Sequence, residues 1–189
     1  MHKIDQAIVL ALGSNQSLGA EGPAELLRLA LAKLAEKGVR VVNLSRFYQT
    51  PCFPEGAGPD YVNAAVVVSS DLAPDALLEI LHKVEADLGR ERRSRWAART
   101  VDIDLIAYGQ RVLPDLAVFL RWLDLPLDQQ QAEAPENLIL PHPRIQDRGF
   151  VLVPMMDVAP DWTHPVLQKT TRQMCESLPT QARKEVKPI

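Results

Sequence analysis

The chain has 189 residues, 47% apolar and 24% charged, the proportions of one soluble globular domain long enough to bury a sizeable core. Its formal net charge of −3 argues against a globally basic nucleic-acid binder, and no apolar run reaches the length of a membrane span. Cys52 and Cys175 match neither a C-x-x-C nor a zinc spacing, and the first residues carry no secretory pattern, so a reducing, cytoplasmic setting is expected.

Residues 7–12 read as a buried strand, closed by Gly13-Ser14-Asn15, which is either punctuation or a point where backbone approaches a ligand. Leucines and alanines at helical spacing (Leu26, Leu27, Ala30, Leu31, Leu34) predict a helix over 23–37, stopped by Gly38. Strand character returns over 39–48, and a loop dense in Pro and Gly follows over 50–60. The next strand, 61–68, puts Tyr61, Asn63 and Ala65 on one face, either as a ring and an amide that read a heterocycle or as an incidental pair. An amphipathic helix is predicted over 73–88, with Leu77, Leu78, Leu81, Val84 and Leu88 as its stripe, Asp71 as its cap and Pro74 in its first turn. Glu85, near that helix's negative end, is solvated, paired with an arginine or holding a ligand hydroxyl.

Ten residues with five arginines and one glutamate, Arg90 to Arg99, then lead into Val101-Asp102-Ile103-Asp104-Leu105-Ile106-Ala107. Aspartate is depleted in strands, and two of them two residues apart share a face, where they repel unless a cation lies between. Such a pair suits a hard divalent cation such as Mg²⁺ or an arginine, and beside an arginine-rich loop it suits a metal-bound polyphosphate; a structural ion pair is the alternative. Alternation sends Val101, Ile103, Leu105 and Ala107 to the opposite face, into the core.

The strand–helix–strand–strand–helix–strand order predicts an α+β fold, a ferredoxin-like βαββαβ core with an antiparallel sheet and both helices on one face. The sheet's other face then needs cover or a ligand. Beyond it, 114–137 reads as a short apolar helix or strand followed by a mobile polar loop, 151–158 and 170–178 as additional C-terminal helices, and the Lys- and Pro-containing tail as frayed. The chain reads as a single domain over 1–189. Ferredoxin-like sheets with basic loops also bind RNA, but here the central strands are aliphatic and the net charge is negative, so no nucleic acid is expected.

Three blocks together resemble the 6-hydroxymethyl-7,8-dihydropterin pyrophosphokinase family of folate biosynthesis. They are Ala11-Leu12-Gly13-Ser14-Asn15, Arg95-Trp96-Ala97-Ala98-Arg99-Thr100-Val101-Asp102-Ile103-Asp104, and Leu140-Pro141-His142-Pro143-Arg144 with Arg148-Gly149-Phe150-Val151-Leu152; Phe47-Tyr48-Gln49-Thr50-Pro51 and Tyr61-Val62-Asn63-Ala64-Ala65 are similar to the family's as well. The resemblance implies pyrophosphoryl transfer from ATP to the pterin hydroxymethyl group, releasing AMP. It implies two Mg²⁺ ions on Asp102 and Asp104, with Arg90 and Arg99 as catalytic arginines. ATP would be held by Glu85, Arg93, Trp96, Leu105, His142 and Arg148. The pterin would be stacked between Tyr61 and Phe150 and bordered by Gly13, Thr50, Pro51 and Asn63. Taken alone, His142 reads as a capped loop histidine. ATP and hydroxymethyldihydropterin are thus the expected partners of a monomer, with association with neighbouring folate enzymes left open and no membrane contact. The 114–137 segment is about twenty residues longer than the family's usual connection, an insertion on the expected adenine side.

Overall fold

Both long amphipathic helices form where their leucine spacing puts them. The computed structural model describes residues 6–52, 58–89, 100–126, 129, 133 and 135–189. Its elements are β1 (Ile8–Ser14), α1 (Pro23–Glu36), β2 (Arg40–Leu44), β3 (Tyr48–Thr50), β4 (Tyr61–Ser69), α2 (Pro74–Asp87), β5 (Asp102–Tyr108), α3 (Leu116–Asp124), α4 (Gly149–Val158), α5 (Thr171–Ser177), α6 (Thr180–Lys184) and β6 (Lys187–Pro188). Proline opens both α1 and α2, where its missing N–H has no intrahelical partner to lose. The residue capping α2 is Ala73, with no side-chain cap bond, so the expected cap Asp71 is not one: it lies two residues too early to meet the first turn.

The sheet runs β5-β1-β4-β3-β6, with β2 also paired to β4, and every pairing is antiparallel. This is the ferredoxin-like order, with its second strand in two pieces rather than the continuous 39–48 strand that composition predicts. The break falls at Ser45: its N–H donates to Ala65 O, and its hydroxyl accepts from Ala65 N at 2.9 Å, doing the work of a main-chain carbonyl. The chain therefore leaves the ladder for three residues and rejoins it at Tyr48.

Two apolar layers flank the sheet. Leu10, Leu12, Ala64, Val66, Ile103 and Leu105 pack against α1 and α2, whereas Val9, Ala11, Ala65, Val67, Ile106 and Ala107 pack against α4 and α5. Ala107 thus faces away from Leu105, contrary to simple alternation. The β1–β5 register steps from Val9↔Ala107 to Leu10↔Leu105, so Ile106 is a bulge residue and the side-chain phase flips there. The two aspartates lie before the bulge and keep their shared face.

The C-terminal residues do not fray where their composition predicts it. Lys187–Pro188 form β6 on the outer edge of β3, Ile189 N donates to Phe47 O at 2.9 Å, and Val186 is buried. Burial of Val186 and an otherwise open strand edge outweigh the poor local propensity.

In the insertion, Asp115 caps α3 by accepting from Val118 N, and Phe119 and Trp122 join Ile139 in a separate small core. Most of the polar tract after α3 lies outside the described residues. His164 sits at the edge of this core, fully buried, its ring 5.7 Å from both Phe119 and Trp162. Its Nδ1 accepts from the N–H groups of Val166 and Leu167 at 3.1 Å, and burial pushes its pKa down to about 4. An unfolded histidine titrates near 6.5, so the neutral ring's contribution is complete above that pH and is lost on acidification toward pH 4, to a total of about 3 kcal/mol. Urea midpoints taken from pH 7 to 4 are expected to fall less steeply for His164→Asn, whose amide oxygen can replace Nδ1 as acceptor; parallel slopes would refute the assignment.

Candidate active site

One row of residues crosses four strands on the sheet face opposite α1 and α2. Tyr48 is registered with Asn63, Asn63 with Gly13, and Gly13 with Asp102, and directly paired residues of antiparallel strands point the same way. Asp104 lies in the next row, opposite Ala11 and Ala65. Thr50 is registered with Tyr61 on this same face. Glycine suits this position in the row because a Cβ there would stand 3.0 Å from Asn63 Oδ1, a contact that would press on the amide. The buried Asn63 amide donates to Thr50 Oγ1 at 2.7 Å, which orients its other edge.

The outer edge of β5 is held by two contacts, one between the aspartates and one just after them. Ile103 N, between Asp102 and Asp104, donates to Oε1 of Glu85 at 2.8 Å, and His142 N donates to the carbonyl of the bulge residue Ile106 at 2.8 Å. Glu85 is almost completely buried, so of the three sequence readings solvation is excluded, and one visible role is to fix the aspartate-bearing backbone. His142 Nδ1 accepts from Arg144 N at 3.1 Å, which leaves Nε2 to carry the proton. Burial, and then the Arg148 guanidinium, hold its pKa well below the ordinary histidine range, while Asp102 pulls weakly the other way.

α4 covers the neighbouring part of this face with Val151, Leu152 and Met155 and presents Arg148 and Phe150 at its N-terminal end. Arg148 Nη1 lies 3.3 Å from Asp104 Oδ2, and its guanidinium sits 5.6 Å from the centre of the Phe150 ring. Phe150 is 40% exposed, a large ring left outside the core. Gly149 fixes how closely α4 approaches α6, because a Cβ there would stand 2.8 Å from the carbonyl oxygen of Ala182. Backbone cannot yield as a side chain can, so Gly149→Ala is expected to cost about 2 kcal/mol in urea unfolding. A loss below about 0.5 kcal/mol would contradict this contact.

The far end of α4 is tied down too. Asp157 accepts from Arg46 N at 3.1 Å, Arg46 Nε at 3.0 Å, Arg46 Nη2 at 2.8 Å and the Tyr48 hydroxyl at 2.8 Å. Hydrogen bonds from Arg46 lower the Asp157 pKa, whereas burial, followed by the bond to Asp157, pushes the Tyr48 phenol up to about 12. The sequence reading missed these three residues. A signal existed: Asp157 is the one charged residue in the ten of α4.

The face therefore gathers Asp102, Asp104, Gly13, Asn63, Thr50 and Tyr61, with Arg148, Phe150 and His142 beside it. Pro51 follows, exposed and outside the strand. Leu105 points into the α1/α2 core, so the expected ATP contact is open to its main chain alone. Arg90, Arg93, Trp96 and Arg99 lie outside the described residues, as do Arg92 and Arg95. Asp102 and Asp104 are an all-oxygen donor pair, and among the described residues no third His, Cys, Asp or Glu completes a cage. Two carboxylates with coordination positions left open fit a cation that also binds phosphate oxygens, the habit of Mg²⁺.

Residues 9–160 match the 7,8-dihydro-6-hydroxymethylpterin-pyrophosphokinase family. The chain belongs to this family. It is 37% identical over 172 residues to the 2-amino-4-hydroxy-6-hydroxymethyldihydropteridine pyrophosphokinase of Synechocystis sp., covering 90% of this chain and 75% of that protein. To the protein of the same name from Methylorubrum extorquens it is 37% identical over 153 residues, 80% of this chain and 82% of the relative. The solved structure of Plasmodium falciparum HPPK-DHPS superposes with a TM-score of 0.61 at 17% identity, over 90% of this chain and 43% of that one, which shows the shared fold. Pyrophosphokinase membership carries pyrophosphoryl transfer to hydroxymethyldihydropterin in folate biosynthesis, with ATP as the co-substrate that a kinase implies. No helix among the described residues is long and apolar enough to cross a membrane.

Proposed function

We propose that the face bearing Asn63, Gly13, Asp102 and Asp104 is where the chain transfers the β,γ-pyrophosphoryl group of ATP to 6-hydroxymethyl-7,8-dihydropterin. The new bond joins the hydroxymethyl oxygen to the β-phosphorus, the bridge between α- and β-phosphates breaks, and AMP leaves. The observation that carries this reading is the single row joining an amide-and-glycine patch to a carboxylate pair, because the acceptor must lie within reach of the phosphates.

Asn63, with Thr50 beside it and Gly13 beneath it, offers the polar edge for the flat heterocycle, and Tyr61 and Phe150 supply the stacking rings. Asp102 and Asp104 would hold two Mg²⁺ ions; when bound, these neutralise charge on the triphosphate. Arg148 is placed to exchange Asp104 for a phosphate oxygen, and the neutral His142 can donate from Nε2 to another. By family resemblance Arg90 and Arg99 offset charge on the transferring group, Arg93 binds phosphate, and Glu85, Trp96 and the Leu105 main chain border the nucleotide. A monomeric cytoplasmic enzyme completes the proposal. The test is AMP release by the purified protein, which must require ATP, the hydroxymethylpterin and a divalent cation together. No AMP with all three present sinks the reading.

A further inference from the structure

We propose that Asp157 is a positioning residue for the pterin half of the site, acting through Tyr48 and Arg46 to hold β3 against α4; the inference rests on the function proposed above. α4 is pinned at both ends. Near its start Arg148 reaches Asp104 on β5, and in its last turn Asp157 takes four hydrogen bonds, three from Arg46 just before β3 and one from Tyr48, the first residue of β3. Each pinned strand carries part of the site: β5 the two aspartates, β3 the Thr50 side chain that receives the Asn63 amide. α4 itself carries Phe150.

β3 has only three residues, paired with β4 on one side and with the two-residue β6 on the other, and the chain is out of the ladder just before it, so these ladders do not by themselves set its spacing from α4. Tyr48 is the end member of the row Tyr48–Asn63–Gly13–Asp102, and its ring is 2% exposed beside that row. Its hydroxyl stops at Asp157 and does not turn toward Asn63. The Arg46 main-chain N–H, its Nε and its Nη2 all donate to the same carboxylate, which fixes the chain just before it enters β3. Release of this clamp frees β3 to move relative to α4, which changes the spacing between the Asn63–Thr50 edge and the Phe150 ring. That spacing selects a flat bicycle. The aspartate pair is held separately, by Glu85 on Ile103 N and by His142 on Ile106 O, so the nucleotide half does not depend on the clamp.

The test is Asp157→Asn, with Tyr48→Phe as a second variant that deletes one hydroxyl from an otherwise unchanged side chain. Pterin dissociation constants, ATP dissociation constants and kcat are measured well below the melting temperature of each variant. The expected result is a pterin Kd raised about tenfold in Asp157→Asn and about threefold in Tyr48→Phe, with ATP affinity and saturated kcat within about twofold of wild type. If Asp157→Asn does not fold, Tyr48→Phe decides by the same criterion. A lowered melting temperature with unchanged pterin affinity overturns the inference, because the clamp would then be only a staple. So does an equal loss of affinity for both substrates. Failure of the wild-type protein itself to bind the pterin would instead overturn the proposed function.

Discussion

Asp102→Ala and Asp104→Ala are each expected to lower turnover by at least about a thousandfold, because on the proposed function each removes an anionic ligand of a phosphate-bound cation. Both side chains are partly exposed on the sheet face, and the 3.3 Å Arg148–Asp104 pair is accessible to solvent, so neither residue holds the fold together. Melting temperatures should therefore stay within about 3 °C of wild type, since exposed ion pairs contribute little. The two effects together discriminate: a carboxylate kept for stability would show the reverse. Turnover within about tenfold of wild type in both variants would end the metal-holding reading.

Asn63→Ala is expected to raise the pterin dissociation constant about a hundredfold while ATP binding persists, because on the proposed function the heterocycle loses its fixed polar edge and Thr50 loses its partner. Asn63 is 5% exposed, donates to Thr50 Oγ1 at 2.7 Å and rests over Gly13, where a Cβ would stand 3.0 Å from its Oδ1. Titration calorimetry with the pterin, in the presence of a non-hydrolysable ATP analogue, measures the change directly. An unchanged pterin affinity would move the pterin elsewhere; a loss confined to ATP would reverse the two halves of the site.

Which parts of this site are legible in the sequence follows from the range over which they are set. The shared face of Asp102 and Asp104 and that of Tyr61 and Asn63 depend on a period of two within one strand, so a reader needs only the spacing. The helices α1 and α2 are legible for the same reason, through leucines at a period of 3.6. The Ala107 orientation fails by local reading because the Ile106 bulge belongs to the pairing of two distant strands. The split of the second strand depends on Ser45 meeting Ala65, twenty positions away, and β6 depends on an edge that only the assembled sheet presents.

By itself the sequence determined the two long helices, the strand and helix order that makes a ferredoxin-like core, the carboxylate pair, and, through its motif blocks, the family. Only the tertiary structure decided that Asn63, Gly13 and Asp102 stand in one row, that Glu85 and His142 brace the strand carrying the aspartates, and that Arg46, Tyr48 and Asp157 join β3 to α4. The physical reason is range. Propensity and periodicity act over one turn or one pleat, whereas register, bulges and carboxylate clamps are settled by partners far along the chain.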